Sequence, residues 1–282
     1  MIRKHKTIRY ASTGPRVVTQ HTVAQAPSKP RRVSPRPTAT LEPGWEALRS
    51  ALTDAVSKEE VGSPFIAVLV PVLGRPHRVR SLVDSFEAST SSADARLYFV
   101  AQHSDHTELE ALRAADQKPI LVGDDQQSWA RKVNLGYAVT SEPWVLLGAD
   151  DLAFRPGWVD VIRSLLRSHA GIIGTCDLGN AATIQGTHST HPLVRRAYAD
   201  HCGTVDERRK VVHDGYAHNF VDAELCATAR RRGMYLHRSD CVIEHLHPFW
   251  GKSESDAIYA LGQRSFLRDK SLYELRQKRF GF

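Results

Sequence analysis

Asp150 and Asp151 stand side by side at the end of the apolar run Trp144-Val145-Leu146-Leu147-Gly148-Ala149. Two adjacent carboxylates buried there without a counter-ion would be costly. A hard divalent cation, held by oxygen ligands and bridging to phosphates, removes that cost; a helix-capping Asp beside a surface Asp is the plainer alternative. Further on, His245 and His247 flank Leu246. On a strand, residues two apart face the same side, so both imidazoles would reach one site, and imidazole is a common ligand for transition metals. Without C-x-x-C spacing or an H-E-x-x-H helix nothing points to a structural zinc site, and a purely structural histidine pair stays open. The segment Asn219-Phe220-Val221-Asp222-Ala223-Glu224-Leu225 opens a helix with Asp222 in its first turn. The helix dipole favours an anion there, so Asp222 is either an N-terminal carboxylate of the ordinary kind or a general base placed to deprotonate a hydroxyl.

Several elements must position these groups. Phe65-Ile66-Ala67-Val68-Leu69-Val70 is a continuous apolar run, the pattern of a strand buried on both faces. After the turn Gly74-Arg75-Pro76, the stripe Val79, Leu82, Val83 and Phe86 predicts a helix. Arg96–Val100 and Pro119–Val122 read as strands, and between them Thr107 and Glu110 have the spacing of a capping box. A helix over Ser128–Thr140 and a strand over Trp144–Leu147 follow. Pro156 predicts the first turn of another helix, with Trp158, Ile162, Leu165, Leu166 and His169 on one face, before a strand at Gly171–Gly174. This alternation predicts an α/β domain with a mostly parallel, Rossmann-like sheet covered by helices on both faces. Ligands bind such sheets outside the carboxyl ends of the strands, where Asp150 and Asp151 stand. Neither a Walker loop nor a G-x-G-x-x-G loop is present.

The chain's net charge of +7 invites a nucleic-acid reading. Residues 1–41 alone carry nine Lys or Arg and no Asp or Glu, so the remainder is slightly acidic and the basicity belongs to the leader. That leader, rich in Pro, Ser, Thr and Arg, is expected to be disordered, either as a solvated segment or as a tether to an anionic or protein partner. Residues 42–63 read as a linker with a short helix carrying Trp45, Leu48 and Leu52, and residues 64–282 as the functional domain. No run reaches the roughly 20 apolar residues of a bilayer span, so no membrane insertion is expected. The scattered Cys176, Cys202, Cys226 and Cys241 suggest reduced thiols in a cytoplasmic protein.

Taken in order, these pieces resemble a GT-A-fold glycosyltransferase of the family 2 type, including bacterial and bacteriophage forms. Val68-Leu69-Val70-Pro71-Val72-Leu73-Gly74-Arg75-Pro76 resembles the family's first strand and nucleotide-binding turn, and Arg131-Lys132-Val133-Asn134-Leu135-Gly136 its helix toward the nucleotide-sugar. Gly148-Ala149-Asp150-Asp151 stands at the D-x-D motif, with Gly148 in place of its first Asp. Val221-Asp222-Ala223-Glu224-Leu225 resembles E-D-x-x-L with Val221 in place of Glu, and Glu244-His245-Leu246-His247-Pro248 resembles the late histidine segment.

The resemblance implies a nucleotide-sugar donor bound by Pro71, Arg75, Asp105, Lys132, Asn134 and Asp150. It implies Mn2+ or Mg2+ held by Asp150, Asp151, His245 and His247, and inverting transfer to a hydroxyl with Asp222 as base. The setting implied is a bacterial or phage-infected cell. The acceptor stays open between a protein or virion component and a modified DNA base, and with Asp105 alone after the second strand the nucleobase stays open too. Two other classes remain in view: a nucleotidyltransferase, for which Val72-Leu73-Gly74-Arg75 is a thin phosphate loop, and a non-catalytic nucleotide-sugar-binding module.

Overall fold

A computed structural model describes residues 45–58 and 63–282. The expected disordered leader over 1–41 lies outside the described residues. Helix α1 (Trp45–Lys58) forms where the Trp45, Leu48 and Leu52 spacing predicts one, and Leu52 is fully buried. Next come β1 (Ile66–Pro71), α2 (Pro76–Ser89), β2 (Ala95–Gln102), α3 (His106–Ala114), β3 (Ile120–Val122), α4 (Trp129–Val139) and β4 (Trp144–Leu147). The order continues with β5 (Leu152–Phe154), α5 (Trp158–Arg163), β6 (Ile172–Cys176), α6 (Ala181–Ile184), β7 (Leu193–Arg195), α7 (Arg196–His201), α8 (Val221–Arg231), β8 (Tyr235–His245) and α9 (Ala257–Phe280).

The strands form one eight-stranded sheet in the order β3-β2-β1-β4-β7-β6-β8-β5. It is a mostly parallel α/β sheet with helices on both faces. β3, β2, β1 and β4 run parallel, as do β6 and β8, while β7 and β5 pair antiparallel with their neighbours. Alternation along β1 explains its unbroken apolar run. Ile66, Val68 and Val70 enter the core under α2, α3 and α5, while Ala67 and Leu69 enter the one under α4, α7 and α8. The stripe Val79, Leu82, Val83 and Phe86 is buried along α2, and Trp158 and Ile162 along α5. Among the described residues, no helix is long and apolar enough to cross a membrane.

Two local expectations are corrected. The N-cap of α3 is Asp105, whose carboxylate accepts from Glu108 N at 3.3 Å and from the Thr107 hydroxyl at 3.2 Å, so Thr107 and Glu110 form no capping box. An Asp one residue before the helix outcompetes a Thr inside it, because only the cap residue's side chain reaches the free N–H groups of the first turn. Helix α5 starts after Gly157, in a left-handed conformation at φ 89°, and stops at Arg163 rather than running to His169.

Gly148 shows why a D-x-D pattern is incomplete here. It continues β4, its N–H donates to Leu69 O at 2.8 Å, and a Cβ placed on it would lie 2.7 Å from that same carbonyl. The approach of β4 to β1 therefore excludes a side chain. Gly148→Ala should lower stability by about 1–3 kcal/mol, the usual cost of overpacking, measured as the urea midpoint; an unchanged midpoint would mean that the two strands part freely.

Candidate active site

The carboxyl ends of β1 and β4, the segment before β7, the start of α8, the end of β8 and the first turns of α9 enclose a cavity of about 1040 Å3. Pro71, Arg75, Lys132, Asp150, Asp151, Asp222, His245 and His247 all line it, so residues up to 176 positions apart in the chain share one space. Asn134 and Asp105 do not line it. Asn134 instead ties α4 to the loop before α8, donating to Val212 O at 2.8 Å and accepting from Val211 N at 3.0 Å. Asp105 accepts from Gly74 N at 2.7 Å and so holds the turn that carries Arg75.

Asp150 and Asp151 are 7% and 4% exposed. Leu152 pairs with His245 in the antiparallel β5–β8 ladder, which brings Asp151 Oδ2 to 3.3 Å from His245 Nε2. Tyr259 of α9 donates to Asp151 Oδ2 at 2.6 Å. Arg75 lies against the pair, with Nη1 3.0 Å from Asp150 Oδ1 and 3.9 Å from Asp151 Oδ2. Its Nη2 reaches Asp256 at 2.9 Å, and its guanidinium stacks over the Tyr259 ring. Burial and the Asp151 charge push Asp150 up to about 6 against the opposing pull of Arg75. Burial also works against ionised Asp151, but His245, Tyr259 and His191 outweigh it and hold Asp151 below the ordinary carboxylate range. At neutral pH both are ionised.

These residues fit a divalent cation in chemistry. Asp151 Oδ1 is buried without a hydrogen-bond partner, as is His191 Nε2, while His191 Nδ1 is bound to Leu147 O at 2.9 Å. Burial lowers His247 to about 4, with His245 adding to the effect, so the imidazole is neutral at pH 7, and its Nδ1 accepts from Phe249 N at 3.1 Å. His247 lies just past the end of β8, yet its ring still packs at 5.0 Å from that of His245. Among the described residues, the His, Cys, Asp or Glu triplet whose ligand atoms already lie within 4.8 Å of one another is elsewhere, at Asp206, Glu207 and His213. Asp206 pairs there with Arg276 and Glu207 with Lys210, so that group is a salt-bridge cluster. At the cavity, Arg75 holds the position of counter-ion.

On the same wall, Lys132 is 1% exposed and donates to Val72 O at 2.6 Å. Burial lowers it to about 8 despite the attraction of Asp105, Glu108 and Asp150. Asp222 also lines the cavity, in the first turn of α8 as its sequence position predicts. The loop that leads to it is held by the buried Asp269 of α9, which accepts from the backbone N–H groups of Ala217, His218 and Asn219. Phe220, the residue before α8, has a left-handed φ of 65° and packs on Phe266 and Tyr273. Such strain in a non-glycine residue persists only where the surroundings enforce it.

Several cavity residues escaped the sequence reading. Asp124 and Asp125 follow β3 just as Asp150 and Asp151 follow β4, a signal that was present and unused. Asp256 carried no such signal, because only folding brings the start of α9 onto the acidic pair.

No family model matches the sequence, and no curated protein matches it. Solved structures do. A mannosyltransferase from Pyrobaculum calidifontis, in complex with GDP-Man and Mn2+, superposes with a TM-score of 0.50 at 13% identity, covering 71% of this chain and 68% of that one. Glucosyl-3-phosphoglycerate synthase from Mycobacterium tuberculosis, in complex with Mn2+ and UDP-Glc, gives 0.52 at 14% identity and covers 83% of each chain. At such identities the likeness shows the fold alone: it is that of GT-A-type glycosyltransferases.

Proposed function

We propose that residues 64–282 form a metal-dependent glycosyltransferase domain, with 42–63 as a linker helix and 1–41 as a basic leader, taking a sugar from a nucleotide-sugar to an acceptor hydroxyl. One observation carries the reading: an acidic pair, two histidines and an N-terminal helix carboxylate, drawn from three distant segments, line one cavity at the carboxyl ends of the strands. The GT-A-type fold, whose solved examples include complexes with GDP-Man or UDP-Glc and Mn2+, supports it.

In this reading Asp150, Asp151, His245 and His247 hold a divalent cation, which supplies Lewis-acid stabilisation of the departing nucleoside diphosphate. Arg75, already fixed at the acidic pair, is placed to give charge-assisted hydrogen bonds to donor phosphate oxygens. Asp124 and Asp125 line the same cavity as Pro71 and Val72 and are assigned here to the donor. Asp222 accepts the proton of the acceptor hydroxyl as its oxygen attacks the anomeric carbon, with inversion at that carbon. The wall from Leu261 to Arg268 and His218 encloses the space beside Asp222 that the acceptor takes.

A thermal-shift panel of nucleotide-sugars, with and without Mn2+, tests the proposal. A donor at about 100 times its Kd adds about 2.7 kcal/mol to the native state, so one member should raise the melting temperature by several degrees only when Mn2+ is present. A panel with no Mn2+-dependent shift would speak against the assignment.

A further inference from the structure

We propose that His188 is the positioning residue for Asp222, an imidazolium standing behind the carboxylate that aims it and keeps it charged; the inference rests on the transferase reading above. His188 Nε2 lies 2.9 Å from Asp222 Oδ2, and the two side chains are 21% and 28% exposed. Asp222 Oδ1 accepts from Ala223 N at 2.9 Å. Each oxygen therefore carries one bond and keeps a lone pair for a substrate proton. Asp222 lines the cavity and His188 does not, so His188 reaches any substrate only through the carboxylate.

The histidine is itself fixed. Its N–H and that of Thr187 both donate to Ala182 O, at 3.1 and 2.9 Å, which anchors the segment to α6. Arg230 of α8 donates to Thr187 O, and the Cys226 thiol, also of α8, donates to Ser189 O at 3.6 Å. One helix thus carries the carboxylate and the two side chains that tie down the residues on either side of His188.

The pair does what an isolated carboxylate here could not. Burial raises the carboxyl pKa of Asp222, and the hydrogen bond and charge of His188 reverse that, with Ala223 N–H and His191 contributing to a net lowering. Burial likewise opposes charge on His188, and Asp222 and Cys226 outweigh it, raising His188 to about 10. Other titratable or charged groups around the pair include His191 ahead of β7, His218 in the loop before α8, Tyr273 of α9, and Cys226 and Arg230 of α8; none of these is a carboxylate. An anionic donor brought alongside would favour protonation of Asp222, and the imidazolium opposes it. No sequence motif signals the pair, since residues 34 apart meet only in the fold.

The test is the pH–rate profile of Mn2+-supported hydrolysis of UDP-Glc, GDP-Man and other nucleotide-sugars. Water is then the acceptor: its oxygen bonds to the anomeric carbon, the sugar–phosphate bond breaks, the nucleoside diphosphate leaves and Asp222 receives the proton. His188→Ala should lower kcat by about 10- to 100-fold with donor KM unchanged. The acid limb should move up by about one pH unit, since an opposite charge at this range lowers a carboxyl by about 1–3 units and its loss returns part of that. His188→Gln keeps an N–H donor without the charge, so it should recover much of kcat while the limb stays displaced; it also serves where the alanine variant does not fold. Wild-type kcat and an unmoved limb in both variants, in an enzyme that Asp222→Asn inactivates, overturn the positioning role and leave the base intact. An active Asp222→Asn overturns the base and this inference together. A wild-type protein inert toward every donor overturns the transferase reading and the inference with it.

Discussion

Asp222→Asn should lower turnover by about 10²- to 10⁴-fold, the range that general-base assistance contributes, while nucleotide-sugar affinity stays at the wild-type level. The substitution is nearly isosteric. The new carbonyl oxygen can still accept from Ala223 N, and the start of α8 depends on contacts the change does not touch: Asp269 with the backbone of residues 217–219, and Phe220 against Phe266 and Tyr273. What disappears is the negative charge and the lone pair that takes a proton. His188 loses its counter-ion at the same moment and should titrate nearer its ordinary value, a change visible as a shift of its ring signals in an NMR titration. Turnover measured beside donor affinity separates the outcomes. Lost turnover with retained affinity identifies the base, whereas near-wild-type turnover would move that role to another residue.

The sheet and its cavity were legible in the sequence to different degrees. The strongly periodic elements were plain, because burial on two faces forces an unbroken apolar run at Ile66–Val70 and a helical stripe at Val79–Phe86. The turn of the sheet at β7 was not. Leu193-Val194-Arg195 is only three residues long and its antiparallel pairing with β4 and β6 depends on long-range geometry, so nothing local announces it. The same limit applies within the cavity. Asp150 and Asp151 were visible because adjacent carboxylates after an apolar strand are locally odd, and Asp222 because its place in the first turn of a helix could be read locally. Asp256 and His188 were not visible, because they become partners of the site only by convergence. Asn134 and Asp105 show the converse: polar residues read locally as donor-site candidates hold loops beside the cavity.

That convergence sets up the second large effect, at Asp150. Three carboxylates, Asp150, Asp151 and Asp256, gather here around the guanidiniums of Arg75 and Arg78, with His245 Nε2 3.3 Å from Asp151 and the nearby His247 neutral. Buried negative charge of this kind draws a cation, and the partnerless Asp151 Oδ1 gives it a ligand that costs no existing hydrogen bond. Asp150→Ala removes one of the three carboxylates. Arg75 then keeps Asp256 and Asp151 as partners, beside Arg78 and His245, so little electrostatic drive for a divalent ion survives. The expected result is loss of Mn2+-dependent nucleotide-sugar binding, with affinity reduced at least about 100-fold, the equivalent of about 2.7 kcal/mol, and indifferent to EDTA. Arg75→Gln should act in the opposite direction on the ion alone: with its competitor gone, Mn2+ should bind more tightly in the absence of donor, while donor affinity falls through loss of a phosphate contact. Titrating Mn2+ by its electron-spin resonance signal in the wild type and both variants reads the ion independently of turnover. Equal donor affinity with and without EDTA in the wild type would remove the metal from this cavity and leave Arg75 as the counter-charge of Asp150.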